Sequence, residues 1–351
     1  MSTHDLSTGG DVLDRVTRFA ERAARAYGCA PASTVRLLNV SENATYLVED
    51  PDQGPCILRV HRLGYHTEAE IESELAWMDA LRAEAGVRTP RVLPAADGQR
   101  VLALPDIDDA PSPGPAGGEA PGSLQPGALR YCVRFEYLAG TEPADDDPAH
   151  FAELGEVTAR MHRHARQWAR PADFTRFAWG YDEAFGSVAR WGRWQDGIGV
   201  GTEEREVLGR LDAALQARLA AFGTGPDRYG LIHADTRLAN LLVDDGGRVS
   251  VIDFDDSGFG WYLYDVGTSV SFFEHEPQVP GLIDAWLTGY RREADLSAAD
   301  EAEIWTFILF RRLLLVAWIG SHRAVDIAQQ LGAGYTRDSC DLAETYLSRA
   351  G

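Results

Sequence analysis

Residues 230–253 constrain this chain more tightly than any other stretch. Gly230-Leu231-Ile232 is a short apolar run that leads into His233-Ala234-Asp235-Thr236-Arg237-Leu238-Ala239-Asn240. Asn240-Leu241-Leu242-Val243 and Arg248-Val249-Ser250-Val251-Ile252 are apolar, partly β-branched runs separated by Asp244-Asp245-Gly246-Gly247. That is a strand–turn–strand pattern. With Val243 facing Arg248, Asn240 is expected opposite Val251, two residues short of Asp253. At about 3.3 Å per residue, the carboxamide oxygen and the carboxylate then reach a common cation. Asp235 falls in the loop that enters the hairpin. A carboxylate, a carboxamide and a second carboxylate in this order suit phosphoryl transfer on a metal-bound nucleotide, because Mg²⁺ is held by one or two protein oxygens completed by phosphates and water.

Roles follow from that placement. Asp235 is expected to accept or orient the proton of a substrate hydroxyl. Asn240 and Asp253 are expected to hold Mg²⁺, and His233 to brace the loop. Aspartate is common in turns, so each residue alone reads equally well as part of a surface hairpin. The ordered set across separate elements carries the inference.

The 351 residues are enough for two domains or lobes. Lys+Arg 33 against Asp+Glu 54 gives a net charge of −21, which argues against a nucleic-acid or anionic-membrane partner. It is compatible with a cationic small-molecule acceptor, and also with plain solubility. Cys29, Cys56, Cys132 and Cys340 show no paired spacing, so neither a disulfide framework nor a zinc site is implied. Residues 1–11 lack a basic region followed by an apolar run, so no signal peptide is expected. The most apolar segment, 304–320, is interrupted by Arg311-Arg312 and reads as a buried helix rather than a membrane span. The expected location is cytoplasmic.

Every basic residue among those 33 is arginine. A phosphate-contacting lysine, usual in kinases, is therefore unavailable. Residues 11–27 carry Val12, Leu13, Val16, Phe19, Ala20 and Ala23 at helical spacing with Gly28 as a stop. Residues 35–40, 44–49 and 56–61 read as strands. Thr67-Glu68-Ala69-Glu70 is a capping box opening a helix to about residue 84. Glu74 shares the apolar face of Ile71, Leu75, Met78 and Leu81. A carboxylate aimed at a core needs a partner, and Arg59 on the preceding strand is the best placed. An Arg59–Glu74 pair with Arg59 on the nucleotide phosphates is chemically sound, since guanidinium binds phosphate bidentately.

Residues 104–128 are rich in Pro and Gly and read as an extended loop inserted in the first lobe. Beyond them, residues 131–138 form a strand that joins a strand-rich first part to a mostly helical second part. Its end, Glu136 and Tyr137, is a candidate for offering backbone groups to a purine edge, although interior packing explains the same alternation.

These segments together resemble the aminoglycoside phosphotransferase/choline kinase-like superfamily. The resemblance rests on Leu58-Arg59-Val60-His61-Arg62 with residues 70–77, on residues 154–162 ending in Met161-His162, and on Ile252-Asp253-Phe254-Asp255-Asp256 through Leu263-Tyr264-Asp265. It covers nearly the whole chain. It implies an α+β, bilobal, protein-kinase-like fold: an N-terminal helix over 1–30, a small β-rich N-lobe over 31–138 and a larger, mostly helical C-lobe over 139–351. It further implies ATP or GTP as phosphate donor between the lobes, Asp235 as the catalytic aspartate, and Asn240 and Asp253 as Mg²⁺ ligands. Two departures stand out. Arg59 replaces the usual lysine, and the 39–45 loop has no glycine. Many members resemble this chain in having a polar turn there, which makes Ser41 and Asn43 candidate phosphate contacts or plain turn residues. For the acceptor, Trp179-Gly180-Tyr181-Asp182 and Trp191-Gly192-Arg193-Trp194 lie where the family places acceptor-binding structure. Asp182, Asp255, Asp256, Glu274 and Glu276 are candidate ammonium contacts, or equally solvated surface on an acidic chain. An amine-bearing antibiotic is the leading expectation; homoserine, choline, a sugar, or a non-catalytic nucleotide-binding role remain open.

Overall fold

Amphipathic patterning at the N-terminus becomes helix α1, His4–Ala26, in a computed structural model that describes residues 4–40, 43–106, 128–144, 146–187, 189–323 and 326–350. The chain divides into two units, residues 1–76 with 90–138 and residues 77–89 with 139–351.

The first unit is a five-stranded antiparallel sheet built from β1 Thr34–Val40, β2 Ala44–Asp50, β3 Gly54–Val60, β4 Val101–Pro105 and β5 Leu129–Glu136, in the order β1-β2-β3-β5-β4. Phe19, Ala20, Ala23 and Ala24 of α1 pack on Tyr46, Val48, Leu58, Val60 and Cys132 of the sheet. The hydroxyl of Tyr27 reaches the carbonyls of Arg100 and Cys132, 2.8 Å from each, so the residue after the helix is tied to β5 and to the residue preceding β4. Helix α2, Glu68–Glu84, opens on the capping box: Thr67 N–H donates to Glu70 Oε2 at 2.8 Å and Glu70 N–H to Thr67 Oγ1 at 3.3 Å. Leu104 and Pro105 belong to β4, and Asp106 N–H donates to Ala128 O at 2.9 Å. The inserted segment is therefore narrower than the 104–128 expected from composition; residues 107–127 lie outside those described.

The second unit carries helices α3 Pro148–Gln167, α4 Tyr181–Phe185, α5 Thr202–Phe222, α6 Tyr262–Ser269, α7 Val279–Tyr290, α8 Ala298–Glu301, α9 Ile304–Ser321 and α10 Asp326–Ala350, the last broken at Gly332. Two small antiparallel pairs accompany them: β6 Tyr229–Ile232 with β9 Gly258–Trp261, and β7 Leu241–Val243 with β8 Val249–Val251. Asp147 caps α3 by accepting from Ala149 N–H at 2.8 Å. Helices α3 and α7 approach at glycines. A Cβ on Gly155 would stand 2.0 Å from Trp286 O, and one on Gly289 would stand 1.7 Å from Ala152 O. Gly289→Ala is therefore expected to destabilise the protein by about 2–3 kcal/mol, because backbone rather than a movable side chain must yield. A urea midpoint unchanged from wild type would contradict this packing.

Helix α9 lies in a segment, Ala298–Ser321, long and apolar enough to span a membrane by length and composition, yet 78% of that window is buried inside the protein. Its two buried arginines, Arg311 and Arg312, are 2% and 0% exposed. Arg312 pairs with Glu274 at 2.5 Å, while Tyr335 Oη donates to the other Glu274 oxygen at 2.9 Å. Glu274, a candidate ammonium contact in the sequence, is thus enclosed with its charge already matched.

Candidate active site

The hairpin that follows Asp235 differs from its expected register by one residue. Leu241 pairs with Val251, Leu242 with Ser250 and Val243 with Val249. The turn accounts for the shift. Asp244 N–H donates to Arg248 O at 3.2 Å, Gly247 takes φ +72°, and Asp244 Oδ1 accepts from Gly246 and Arg248 N–H. A three-residue loop ending in left-handed glycine adds a pair to the ladder. Asn240 consequently faces Ile252, whose N–H donates to Asn240 O at 2.9 Å, and Asp253 follows as the next residue.

Asn240 closes the 3₁₀ turn Leu238–Asn240. Its side-chain amide donates to both Asp235 O and Asp235 Oδ2, each at 2.8 Å. The amide nitrogen is committed to Asp235, so the carboxamide oxygen is the group left for other work. Asp253 is exposed and holds φ +60°, a left-handed backbone that non-glycine residues adopt at a cost of about 1–3 kcal/mol. The exposed Asp253 carboxylate and the carboxamide oxygen of the buried Asn240, on adjoining hairpin positions, suit a hard divalent cation. Among the described residues no cluster of three or more His, Cys, Asp or Glu is placed to hold a metal ion by itself.

Asp235 is gripped at both oxygens. Oδ2 accepts from Asn240, and Oδ1 accepts from Arg311 Nη2 at 3.0 Å and from Arg237 Nε at 3.3 Å. Burial pushes its carboxyl pKa up, but Arg237, Arg311 and the Asn240 amide outweigh burial and hold it below the usual carboxylate range. The group is an ionised hydrogen-bond acceptor of low basicity.

The loop carrying Asp235 is fixed from below. Buried Asp265 on α6 accepts from Ala234 N–H at 2.7 Å, His233 N–H at 3.2 Å and His162 Nε2 at 2.9 Å. Its backbone oxygen accepts from Thr236 Oγ1 at 2.6 Å. Ala234 is thereby held at φ +66°. His162 is fully buried on α3; burial lowers its pKa despite Asp265, and Tyr290 Oη lies 3.0 Å from its Nδ1. Neutral His162 therefore donates from Nε2 and accepts at Nδ1. His233 accepts Asp235 N–H at Nδ1, 3.3 Å, which leaves Nε2–H to donate to Ile252 O at 3.1 Å. Its ring is spent on the backbone, a bracing position.

The candidates for nucleotide contact sit in the first unit. Arg59 Nη2 lies 2.5 Å from Glu74 Oε1, with side chains 7% and 0% exposed, and its guanidinium lies 5.1 Å from the Phe135 ring centroid. Asn43 is buried and its Oδ1 accepts from Arg62 N–H at 3.2 Å. Ser41 lies outside the described residues. Glu136 differs from expectation: its N–H donates to Arg91 O and its carboxylate accepts from Arg91 N–H, both 2.9 Å. That N–H is not available to a purine. Tyr137 is 45% exposed. Trp179, Trp191 and Trp194 are buried, so these rings serve packing; Trp191 lies 5.1 Å from the Arg311 guanidinium.

Residues 34–301 match the model of the phosphotransferase enzyme family. The chain belongs to that family. It is 46% identical to a solved microcompartment-associated aminopropanol kinase, with TM-score 0.83 over 95% of this chain and 98% of the other. It is 26% identical to the amicoumacin kinase of Bacillus subtilis (strain 168) over 91% of this chain and 90% of that one. An amicoumacin kinase in complex with AMP-PNP, Ca²⁺ and Ami shares the fold at TM-score 0.72 and 22% identity, covering 95% and 96% of the two chains. This phosphotransferase is a small-molecule kinase, with the β-sheet N-terminal part and helical C-terminal part that its sequence implies. Arg311 escaped the sequence reading of its site. The available signal was a pair of arginines inside the most apolar helix, since a buried cation demands a partner.

Proposed function

We propose that this phosphotransferase moves the terminal phosphate of ATP or GTP to the hydroxyl of a small amino alcohol, with aminopropanol the leading acceptor. The observation that carries the acceptor class is the 46% identity to an aminopropanol kinase along nearly the full length of both chains. Asp235 is the catalytic residue. With both oxygens already gripped by cationic or amide donors, it orients the acceptor hydroxyl and takes its proton late, as the new P–O bond forms. A loose phosphoryl transition state asks for positioning and charge stabilisation more than for a strong base. Asn240, through its oxygen, and Asp253 hold the divalent ion, for which Mg²⁺ is the natural choice. When bound, that ion neutralises charge on the donor phosphates. Arg59, oriented by Glu74, contacts the nucleotide phosphates, with Asn43 and Ser41 as further candidates and Tyr137 on the purine side.

A second reading, an amine-bearing antibiotic as acceptor, is favoured by the likeness to the amicoumacin kinase. A coupled assay for nucleotide diphosphate release separates the two. Turnover with aminopropanol and none with amicoumacin supports the amino-alcohol reading, and the reverse pattern replaces it. Asp253→Ala is expected to remove the Mg²⁺-dependent part of the ATP-induced rise in melting temperature, because a ligand stabilises only the state that binds it. An undiminished Mg²⁺-dependent shift would take Asp253 out of the metal site.

A further inference from the structure

We infer that Arg311 is a positioning residue for phosphoryl transfer, acting through Asp235; this rests on Asp235 being the catalytic residue. Helix α9 carries Arg311 with 2% of its surface exposed, and a buried guanidinium is costly unless its donors are all directed at partners. Each arm has one. Nε donates to Ser271 Oγ at 3.2 Å, Nη1 to Tyr264 Oη at 3.0 Å and Nη2 to Asp235 Oδ1 at 3.0 Å. The plane also lies 5.1 Å from the Trp191 ring centroid, a cation–π contact that fixes its tilt. Two neutral hydroxyls and an aromatic face therefore hold the fork, and the third arm presents a cation to one oxygen of Asp235.

The geometry divides the carboxylate into two ends. Oδ1 is fixed by Arg311 from α9, with Arg237 at longer range, and Oδ2 by the Asn240 amide from the hairpin. Restraint from two separate elements removes rotation of the carboxylate about its Cβ–Cγ bond. The remaining lone pairs are then aimed at one position, where the acceptor hydroxyl must sit. A misplacement of about 1 Å costs on the order of 10²-fold in rate, so a residue that removes this freedom acts on kcat rather than on nucleotide binding. Because planar arginine presents its donors as a rigid fork, lysine can restore the charge but not all three contacts.

The test is steady-state kinetics with nucleotide and acceptor each varied in turn, on Arg311→Gln, Arg311→Lys, Tyr264→Phe and Ser271→Ala, each at the same interval below its own melting temperature. Arg311→Gln is expected to lower kcat by about 10- to 100-fold, the range for groups that orient a reacting ligand, with the nucleotide KM unchanged. Arg311→Lys should recover part of that loss. Tyr264→Phe and Ser271→Ala keep the charge and loosen its seat, and should lower kcat to a smaller degree. Wild-type kcat in folded Arg311→Gln would overturn the inference. If that variant does not fold, unchanged kcat in both Tyr264→Phe and Ser271→Ala overturns it instead. Near wild-type turnover by Asp235→Asn would overturn the underlying assignment; an inactive Asp235→Asn beside a fully active Arg311→Gln would overturn the Arg311 role alone.

Discussion

Asp235→Asn is expected to lower kcat by about 10³-fold or more while leaving the protein folded and able to bind nucleotide. General acid–base groups contribute roughly 10²- to 10⁴-fold, and the upper half of that range applies because Asp235 also orients the acceptor. Asparagine preserves size and one oxygen. It removes the negative charge that Arg311 and Arg237 face at 3.0 and 3.3 Å, and it places a donor where a hydroxyl proton must be received. Some loss of stability should accompany the change, since Arg311 is then buried without its counter-charge. Nucleotide binding, read by thermal shift, should persist because Asp235 is not among the proposed phosphate contacts. A kcat within a few-fold of wild type would remove Asp235 from the chemistry.

Asp265→Ala should be the most damaging substitution for stability among those considered. The carboxylate is fully buried and accepts from two backbone N–H groups and one imidazole. Deleting it strands all three donors. Each buried donor left unsatisfied costs about 1–3 kcal/mol, so the three together cost at least about 3 kcal/mol. Ala234 would also lose the contact that holds its left-handed backbone. At about 2–4 °C per kcal/mol for a domain of this size, the melting temperature should fall by roughly 10 °C. Asp265→Asn should lie between, because one of its two terminal atoms can no longer accept. A fall of only one or two degrees in Asp265→Ala would show that the loop is held by other contacts.

Much of the fold was legible wherever a local rule decides it. The Thr67–Glu70 capping box, the strands preceding it and the strand entering His233 all appear near their expected places. The inward Glu74 called for Arg59, and the two are paired. Misreadings occurred where the deciding interaction is not local. The hairpin register turned on Gly247 adopting a positive φ and on Asp244 bonding its own turn. The two-residue spacing that the sequence suggested for Asn240 and Asp253 tightened to a single step. Glu136 was a candidate for offering backbone groups, but Arg91, 45 residues earlier, takes its N–H. Arg311 stands 76 residues from Asp235, and no periodicity links positions so far apart. Glu274 read as an ammonium contact or a solvated acid because its partners, Arg312 and Tyr335, come from two later helices.

The buried Arg59–Glu74 pair has a consequence for control by modification. A guanidinium stays protonated across the pH range in which proteins remain folded, so the pair cannot be uncoupled by loss of a proton. Nor is arginine a target of the acylation that neutralises lysine ε-amines. With no lysine anywhere in the sequence, acetyl donors in the cell and acyl-phosphate nucleotide probes at the bench find no side-chain amine to attack. Lysine acetylation has no side-chain handle on this sequence.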